Sequence, residues 1–346
     1  MPLVSRHASE IRVAVTGLGK MGSFHARALR QLANGESEAY YKSGLRQQVV
    51  KVRPCGFCDL DPMRTQDFVE APVFQDHLDL LKATHPDIAI IATPSRSHYP
   101  LAVATLNSGV HAFVEKPATL QVAQWEDLVA LANLNHVRLM AGHVERYNPV
   151  AIKIHSLLKS GALTVTGYAF ARSQPPDLRI PDDIVVDKLI HDVDLALFFF
   201  GSVTSHSVIS VKKVAGQTRE LTLRLTHRSG LQGELFVSWL QPGSSRIREC
   251  FCRTAESGDL HGDFVAKQLV INGTPVECSV PNWVKPDNNQ IKDELADFVG
   301  YCLEPDPGLP PIQPLLSPDE VGSAIAIIEQ VSLETSLPPS GQDVAP

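Results

Sequence analysis

Three closely spaced glycines follow a strand-like segment near the start of the chain, and this feature constrains the fold most. An apolar run, Ile11–Thr16, leads into the glycine-rich stretch, and a helix-forming segment, Met21–Ala33, comes next. In a dinucleotide site the first glycine permits a tight turn, the second lets the backbone approach a pyrophosphate, and the third lets the helix pack on the strand, with its N-terminal amides facing the phosphates. We predict such a site; the alternative is a turn with a purely structural purpose. The predicted cofactor contacts here are Gly17, Gly19, Lys20, Met21 and Gly22.

The composition indicates the class of protein and the number of domains. At roughly 150 residues per domain, a chain of 346 residues predicts two domains. Hydrophobic residues make up 44% of the chain and the net charge is −7, which is unlike a basic nucleic-acid-binding surface. No apolar run approaches the roughly 20 residues that a membrane span requires. Because the N-terminus lacks the apolar core of a signal peptide, we expect a cytoplasmic protein with a small-molecule substrate and no nucleic-acid or membrane partner.

Six cysteines are present, and their spacings do not predict the disulfide framework of a secreted protein. Cys55-Gly-Phe-Cys58 has the spacing of a redox motif. It lies within a predicted strand rather than at a helix start, so we favour buried small side chains over a reactive pair.

Strand-like and helical segments alternate through the first part of the chain, which is typical of a doubly wound parallel sheet. We therefore assign residues 1–141 to a Rossmann domain that binds a dinucleotide. The predicted strands are Ile11–Thr16, Val49–Cys58, Ile88–Ala92 and Ala112–Glu115.

Asp59 ends the second of these strands. A carboxylate at this point accepts hydrogen bonds from the adenosine ribose and repels a 2′-phosphate, so NAD is favoured over NADP. Asp59 lies 37 positions after Gly22 instead of the usual ~20, which implies an insertion across Asn34–Gln48. The alternative is a solvated acid in a turn.

From residue 142 onward the pattern changes to helices and long strands. It predicts an α+β domain over residues 142–346, with a large, mainly antiparallel open sheet whose turns form hairpins. The predicted helices are Pro149–Ser160, Val185–Phe200, Ile291–Leu303 and Pro318–Leu333. The predicted strands are Thr204–Lys213, Glu220–His227, Leu231–Leu240, Arg246–Thr254 and Ala266–Ile271.

Two further motifs follow the glycine loop: Glu115-Lys116-Pro117 and Asp187-Lys-Leu-Ile-His191. With them the chain resembles the Gfo/Idh/MocA oxidoreductase family over nearly its whole length. The resemblance implies a Rossmann domain, a second domain whose open sheet often forms oligomer contacts, and hydride exchange between NAD(P) and a sugar or cyclitol. It also implies that Lys116, Asp187 and His191 are catalytic. The cofactor contacts that it adds are Thr93, Pro94, Ser95, His98, Glu115 and Lys116.

The chemistry of these residue types suits the oxidation of an alcohol. A histidine with a reference pKa of ~6.5 can accept the hydroxyl proton, a carboxylate can orient the histidine, and a lysine can stabilise the developing alkoxide. Asp187 and His191 are four positions apart, so on an α-helix they share a face, with Asp194 one turn further. The alternatives are a surface lysine, a histidine satisfied within the core, and a metal site. We predict no metal, because no cysteine or second histidine lies at ligand spacing.

A narrower resemblance comes from Gly142–Pro149 together with Ile190–Leu195. Within the family these segments resemble the members that oxidise the C3 hydroxyl of UDP-N-acetylglucosamine to a ketone, ahead of a PLP-dependent aminotransferase. Arg172 and Arg179 can meet the diphosphate of such a substrate or lie at the surface, and Arg146 can contact substrate or brace the two domains. The predicted substrate-binding residues are Lys116, Arg146, Tyr147, Asn148, Arg172, Asp187 and His191.

Two other functions stay open. One is a dehydrogenase or reductase of the same family that acts on a free sugar, a cyclitol or a bilin; the intact set of Lys116, Asp187 and His191 favours a sugar-type alcohol. The other is a sensor that binds NAD(H) without turnover.

The strands of the second domain also predict assembly. Leucines alternate with polar residues, so the domain's own helices can cover one face of the sheet while the other meets water or a partner. We predict a homodimer or homotetramer formed through the outer face, and the family resemblance implies the same contact. The alternative is an ordinary solvated face. The inner residues are Leu221, Leu223 and Leu225, and the outer ones include Thr222, Arg224, Thr226 and Glu234.

Overall fold

The computed structural model describes residues 10–33, 51–68, 70–175, 183–241, 245–255, 258–278, 289–303 and 313–336. The chain forms two compact units. The first contains residues up to Tyr147 together with residues 279–321, and the second contains Asn148–Cys278 and the chain from Gly322 onward. Within the described part of the chain, no helix combines the length and apolar character that crossing a membrane demands.

The first unit is built on a six-stranded parallel sheet with the strand order β3-β2-β1-β4-β5-β6. The order reverses between β1 and β4, which is the switch point of a doubly wound sheet. This confirms the predicted Rossmann fold. The strands are β1 (Glu10–Thr16), β2 (Lys51–Cys58), β3 (Val73–Phe74), β4 (Ile88–Ile91), β5 (His111–Glu115) and β6 (Leu139–Gly142). The helices between them are α1 (Lys20–Ala33), α2 (His77–Thr84), α3 (His98–Asn107) and α4 (Val122–Leu134).

Helix α1 buries one face against the sheet. Its buried positions recur every three or four residues, as expected of a helix that covers a sheet on one side. A further helix, α7 (Gln290–Cys302), packs on α1 and adds Leu295 and Phe298 to the same apolar core. The first unit therefore takes part of its core from a segment that follows residues Asn148–Cys278 of the second unit in sequence.

The two units divide the chain differently from the predicted boundary at residue 141. The first unit extends to Tyr147, and residues 289–303 and 313–321 pack with it rather than with the second unit. The physical reason is the apolar face of α7, which is buried in the core around α1. The predicted insertion across Asn34–Gln48 lies outside the described residues.

The second unit is built on an eight-stranded sheet with the order β14-β13-β12-β11-β7-β10-β9-β8. Among the described strands, β7 and β10 pair in parallel and all other neighbours are antiparallel, which confirms a mainly antiparallel sheet. The strands are β7 (Val165–Ser173), β8 (Val203–Val214), β9 (Gln217–His227), β10 (Gln232–Ser238), β11 (Ile247–Thr254), β12 (Asp259–Asp263), β13 (Gln268–Ile271) and β14 (Thr274–Val276). The helices are α5 (Pro149–Lys159), α6 (Ile190–Phe200) and the greater part of α8 (Pro318–Ser336).

The two faces of this sheet differ as the sequence predicted. Leu221, Leu223 and Leu225 of β9 are fully buried, and Phe170 of β7 lies on the same inner face. On the outer face, Arg224 pairs with Glu234 of the neighbouring strand. Helix α6 is buried along nearly its whole length, which is unusual for a helix that carries several charged residues.

Candidate active-site residues

The glycine loop leaves open space where a pyrophosphate would approach. Gly17 has φ +88°, and an added Cβ would come within 2.7 Å of the backbone of Ala92 and Thr93, whereas a Cβ on Gly22 would collide with the Gly17 carbonyl. These two glycines are required by the fold itself. A Cβ on Gly19 would meet only the Arg64 guanidinium, at 3.6 Å, so the protein leaves this position uncovered. The loop therefore fits a cofactor whose phosphates lie against the N-terminus of α1.

Asp59 is placed beside this loop. Its Oδ2 accepts a hydrogen bond from the Leu18 amide at 2.6 Å, and its Oδ1 accepts one from the Asp61 amide at 2.9 Å. Arg64, half exposed, lies 3.8 Å from the Asp59 carboxylate. Asp59 is 8% exposed, so it is more than a solvated turn acid. A buried carboxylate at the end of β2 fits the role of ribose acceptor.

Glu115 and Lys116 stand at the carboxyl end of β5, where ligands bind in this architecture. The Glu115 carboxylate accepts a hydrogen bond from Nε2 of the fully buried His25 at 2.6 Å, and its other oxygen accepts one from the Lys116 amide at 3.1 Å. Burial raises the pKa of Glu115, but the hydrogen bond and charge of His25, together with Lys116, outweigh it, so the net change lowers the pKa. Glu115 is therefore an ionised anchor for the Lys116 backbone.

The sequence did not single out His25. It lies on α1 between Gly22 and Ala26, which are both buried, and a polar residue in the buried stripe of a helix was the available signal. Its partner Glu115 is 90 positions away, so the pairing could not be predicted from local pattern.

The loop after β4 contains the predicted nicotinamide contacts. The Ser97 hydroxyl donates to the Thr93 hydroxyl at 2.8 Å and to the Pro94 carbonyl at 2.7 Å, and Ser95 is buried. His98 is also buried, and both of its ring nitrogens lie against backbone carbonyls, those of Thr93 and Pro117. The ring therefore links two loops of the protein, and its assignment as a direct cofactor contact is not supported by this geometry.

Two of the predicted substrate contacts, Arg146 and Tyr147, bind other parts of the first unit. Arg146 is fully buried and donates to the Leu315 carbonyl at 3.0 Å and to Glu320 at 3.1 Å. The Tyr147 hydroxyl donates to Asp297 at 2.6 Å, and burial, together with this carboxylate, raises its pKa. These contacts hold α7 and the start of α8 within the first unit, and a contact of Arg146 or Tyr147 with substrate stays a prediction.

Asn148 also has a structural role. Its side chain accepts a hydrogen bond from the Val150 amide at 3.0 Å and so caps α5, and its amide donates to the Phe264 carbonyl at 2.9 Å. Ser, Thr, Asp and Asn are the residues that most favour this capping position. The residue is buried, and its contact with substrate stays a prediction.

Asp187 lies in a single π-helical turn, Val185–Leu189, that runs into α6. The segment around Asp187 is therefore π-helical and not α-helical as predicted. Both residues are buried, at 5% and 8% exposure, and Asp194 is completely buried. Asp187 also forms an ion pair with Lys188, Nζ to Oδ2 at 3.0 Å, which the sequence did not predict. Single π turns of this kind are frequent at functional sites.

Arg172 is not a surface residue. It is 2% exposed, and its Nε and Nη2 both lie within 2.9 Å of one oxygen of the buried Asp192 on α6. The Nε and Nη2 edge of the guanidinium therefore binds Asp192. The second predicted arginine, Arg179, lies outside the described residues.

The cysteine pair and metal binding were also considered from the sequence. Cys55 and Cys58 are buried free thiols in the apolar core, and burial raises the pKa of Cys58 to about 12. Such a thiol is not ionised at neutral pH and so is not reactive. Among the described residues, no group of three histidine, cysteine or acidic side chains is placed to hold a metal ion.

Comparison with known proteins agrees with this arrangement. Residues 11–143 match the GFO_IDH_MocA family model, described as an oxidoreductase family with an NAD-binding Rossmann fold. UDP-N-acetylglucosamine 3-dehydrogenase of Acidithiobacillus ferrooxidans is 25% identical over 66% of this chain and 67% of its own. Inositol 2-dehydrogenase of Salmonella typhimurium is 28% identical over 88% of both chains.

Solved structures share the fold. The Acidithiobacillus dehydrogenase superimposes with a TM-score of 0.75 at 22% identity, covering 94% of this chain and 98% of its own. Levoglucosan dehydrogenase in complex with NADH superimposes with a TM-score of 0.77 at 14% identity, covering 94% and 97%. At these identities the likeness concerns the fold alone.

Proposed function

We propose that this chain, whose residues 11–143 match the model of the Gfo/Idh/MocA oxidoreductase family, is a member of that family and oxidises the C3 hydroxyl of UDP-N-acetylglucosamine to a ketone. The observation that carries the proposal is the placement of the uncovered Gly19, the buried Asp59 and the anchored Lys116 at one edge of the sheet in the first unit. This combination provides for the pyrophosphate, the ribose and the reacting hydroxyl of an NAD-dependent dehydrogenase.

The residues divide the work as follows. The amides at the start of α1 and the Asp59 carboxylate hold the cofactor, which supplies the hydride acceptor when bound. Lys116 stabilises negative charge on the substrate oxygen with its side-chain cation. Glu115, which is itself bound by His25, holds the Lys116 backbone in place. The hydroxyl proton goes to His191 or to Lys116, and Asp187 with Lys188 forms a charged group one turn before His191.

A cyclitol is the second candidate substrate. The inositol 2-dehydrogenase relative aligns over 88% of this chain, against 66% for the nucleotide-sugar enzyme. In addition, Arg172, which was predicted to meet a diphosphate, is engaged by Asp192, and Arg146, which was predicted to contact substrate, is engaged by Glu320. A cyclitol has no diphosphate and needs neither arginine.

The product and the assembly follow from the same proposal. A 3-keto sugar is a substrate that a PLP-dependent aminotransferase consumes, so we propose that such an enzyme acts next. We also propose that a second copy of the chain covers the outer face of the eight-stranded sheet. That face has a groove of about 790 Å³ lined by Ala169, Phe251 and His261, among others, and Phe251 is 45% exposed.

A substrate panel tests the proposal. Purified protein is mixed with NAD and UDP-N-acetylglucosamine, UDP-glucose, myo-inositol, scyllo-inositol or glucose, and NADH absorbance is followed. Among the five compounds, only UDP-N-acetylglucosamine is expected to support NADH formation. Faster NADH formation with an inositol than with UDP-N-acetylglucosamine would contradict the proposed nucleotide-sugar substrate and support a cyclitol. Unimpaired NADH binding without turnover on any substrate would favour the sensor and contradict both enzymatic proposals.

A further inference from the structure

His98 is a buried histidine whose two ring nitrogens both face oxygen atoms that can only accept hydrogen bonds. Nδ1 lies 2.8 Å from the Pro117 carbonyl oxygen, and Nε2 lies 2.7 Å from the Thr93 carbonyl oxygen. The ring is 1% exposed. A neutral imidazole has one N–H, whereas the imidazolium has two. Both contacts are therefore hydrogen bonds only if His98 carries a proton on each nitrogen.

We propose that His98 is held as a doubly donating imidazolium that positions Lys116 by tying the Pro117 carbonyl to the Thr93 carbonyl. Hydrogen bonds from a charged donor are shorter and stronger than neutral ones, in agreement with the 2.7 and 2.8 Å separations. A neutral ring would set the lone pair of one ring nitrogen against a carbonyl oxygen, and the hydrogen bond at that nitrogen would be lost.

The two carbonyls belong to loops that end neighbouring strands. Thr93 follows β4 and Pro117 follows β5, and these strands pair in parallel, so both loops lie at the carboxyl edge of the sheet. His98 begins α3 and reaches both loops from there. It thereby couples the loop that is predicted to contact the nicotinamide to the loop that carries Lys116.

Lys116 is consequently fixed on both sides. Before it, Glu115 holds its amide and is itself held by His25; after it, the Pro117 carbonyl is held by His98. His98 touches neither reacting atom, so it is a positioning residue and not a catalytic one. Its positioning role rests on the proposed function of Lys116, whereas its charge state does not depend on any activity.

The first experiment measures that charge state. The protein is labelled with ¹⁵N at the histidine rings, and its spectrum at pH 7.5 is compared with that of His98→Gln to assign the His98 signals. Both ring nitrogens of His98 are expected at the chemical shifts of protonated nitrogens. The measurement pH of 7.5 is above the reference pKa of ~6.5, at which a free histidine loses its charge. A signal from one unprotonated ring nitrogen would overturn the proposal.

The second experiment measures positioning. His98→Gln keeps one amide donor and loses the second, so kcat should fall by about tenfold to hundredfold, while the affinity for NADH changes little. The control is His111→Asn, because His111 is equally buried at the opposite end of β5 and its Nδ1 accepts a backbone hydrogen bond from Arg138. That variant should lose stability but keep kcat.

The outcomes separate the two proposals. An unchanged kcat in His98→Gln, or an equal loss in His111→Asn, would contradict the positioning role. If the wild-type protein oxidises none of the sugars, the proposed function fails, and the ring-nitrogen signals still decide the state of His98. Rescue of part of the lost rate by His98→Lys, which returns a charged multiple donor, would support the role of the charge.

Discussion

The Asp59 carboxylate accepts a hydrogen bond from the Leu18 amide at 2.6 Å, which ties the end of β2 to the glycine loop 41 positions earlier in the chain. One side chain thus shapes the phosphate loop and also stands where a ribose would bind. Cofactor choice and loop geometry are therefore linked in this protein.

Replacing Asp59 by asparagine is expected to narrow the preference for NADH over NADPH by roughly tenfold or more, because the charge that repels a 2′-phosphate is lost. Fluorescence titrations with NADH and with NADPH measure the ratio of the two affinities. Asp61→Asn is the matched control, because Asp61 is about half exposed and caps the next turn. Tighter binding of NADPH than NADH by the wild-type protein would contradict the assignment of Asp59.

Lys116→Ala and His191→Ala are each expected to lower kcat by roughly 10²-fold or more, the usual scale for a positioned acid–base group, while NADH binding stays near normal. Stopped-flow hydride transfer measures the chemical step. Lys82→Ala is the control, since Lys82 is an exposed lysine on α2. Wild-type rates in either variant would remove that residue from the catalytic set.

Arg172→Met is expected to destabilise the protein by about 3–5 kcal/mol, because it leaves the buried Asp192 without its charged partner. The double variant Arg172→Met/Asp192→Leu should recover a large part of this loss, since it removes both buried charges. Urea denaturation of the three proteins measures the coupling. If Arg172→Met instead raises KM for the nucleotide sugar at unchanged stability, the arginine contacts substrate.

Stability should decrease as the pH falls below about 6.5, and His77 should contribute to the decrease. Burial lowers the pKa of His77 to about 4. Its ring lies between the Thr16 and Thr105 hydroxyls, and Thr105 donates its own proton to Leu101, so Nε2 must donate to Thr105. Between pH 6.5 and 4 the unfolded chain binds a proton that the folded one does not, which costs roughly 3 kcal/mol over the whole range.

The variant His77→Gln keeps a donor for Thr105 but does not titrate, so the difference in urea midpoint between pH 7 and pH 5 should shrink. His85→Asn serves as the control, because His85 is exposed and its left-handed φ of 42° suits asparagine. An unchanged pH dependence in His77→Gln would show that the pKa of His77 is not lowered in the folded state.

Light scattering at micromolar concentration should give a mass of two or four chains, each of 37.8 kDa. Phe251→Glu should shift the mass toward one chain, because it places a charge in the outer-face groove. Leu134→Glu is the control, since Leu134 is 75% exposed at the end of α4 in the first unit. A wild-type mass near that of one chain would contradict the proposed assembly.

The features that depend on local pattern were predictable from the sequence. The glycine loop, α1 and strands β1, β4 and β5 lie within one or two residues of their predicted limits, because continuous apolar runs and glycines determine them. The short strands β3 and β6 were missed, since two and four residues carry too little periodicity. Strand β7 was also missed, although Tyr168, Phe170 and Arg172 alternate inward along it.

The roles of polar residues were less predictable, because they depend on distant partners. Arg146 and Tyr147 resemble substrate ligands in sequence, yet Glu320 and Asp297 engage them 174 and 150 positions later. The pair of Asp187 and His191 had the correct spacing for an α-helix, but the π turn before α6 could not be foreseen from residue types.

The position of α7 has a consequence for how the chain folds as it leaves the ribosome. The Rossmann core around Ile11 and Leu29 includes Phe298 and Cys302, which are synthesised only after residues Asn148–Cys278 of the second unit. N-terminal domains commonly fold first during synthesis. Here the apolar face that α7 covers stays exposed in the nascent first unit until α7 has been synthesised. Residues Asn148–Cys278, the larger part of the second unit, are contiguous and are synthesised before α7, whereas α8 of the same unit is synthesised after it. Cofactor binding by the nascent chain should therefore begin late in translation.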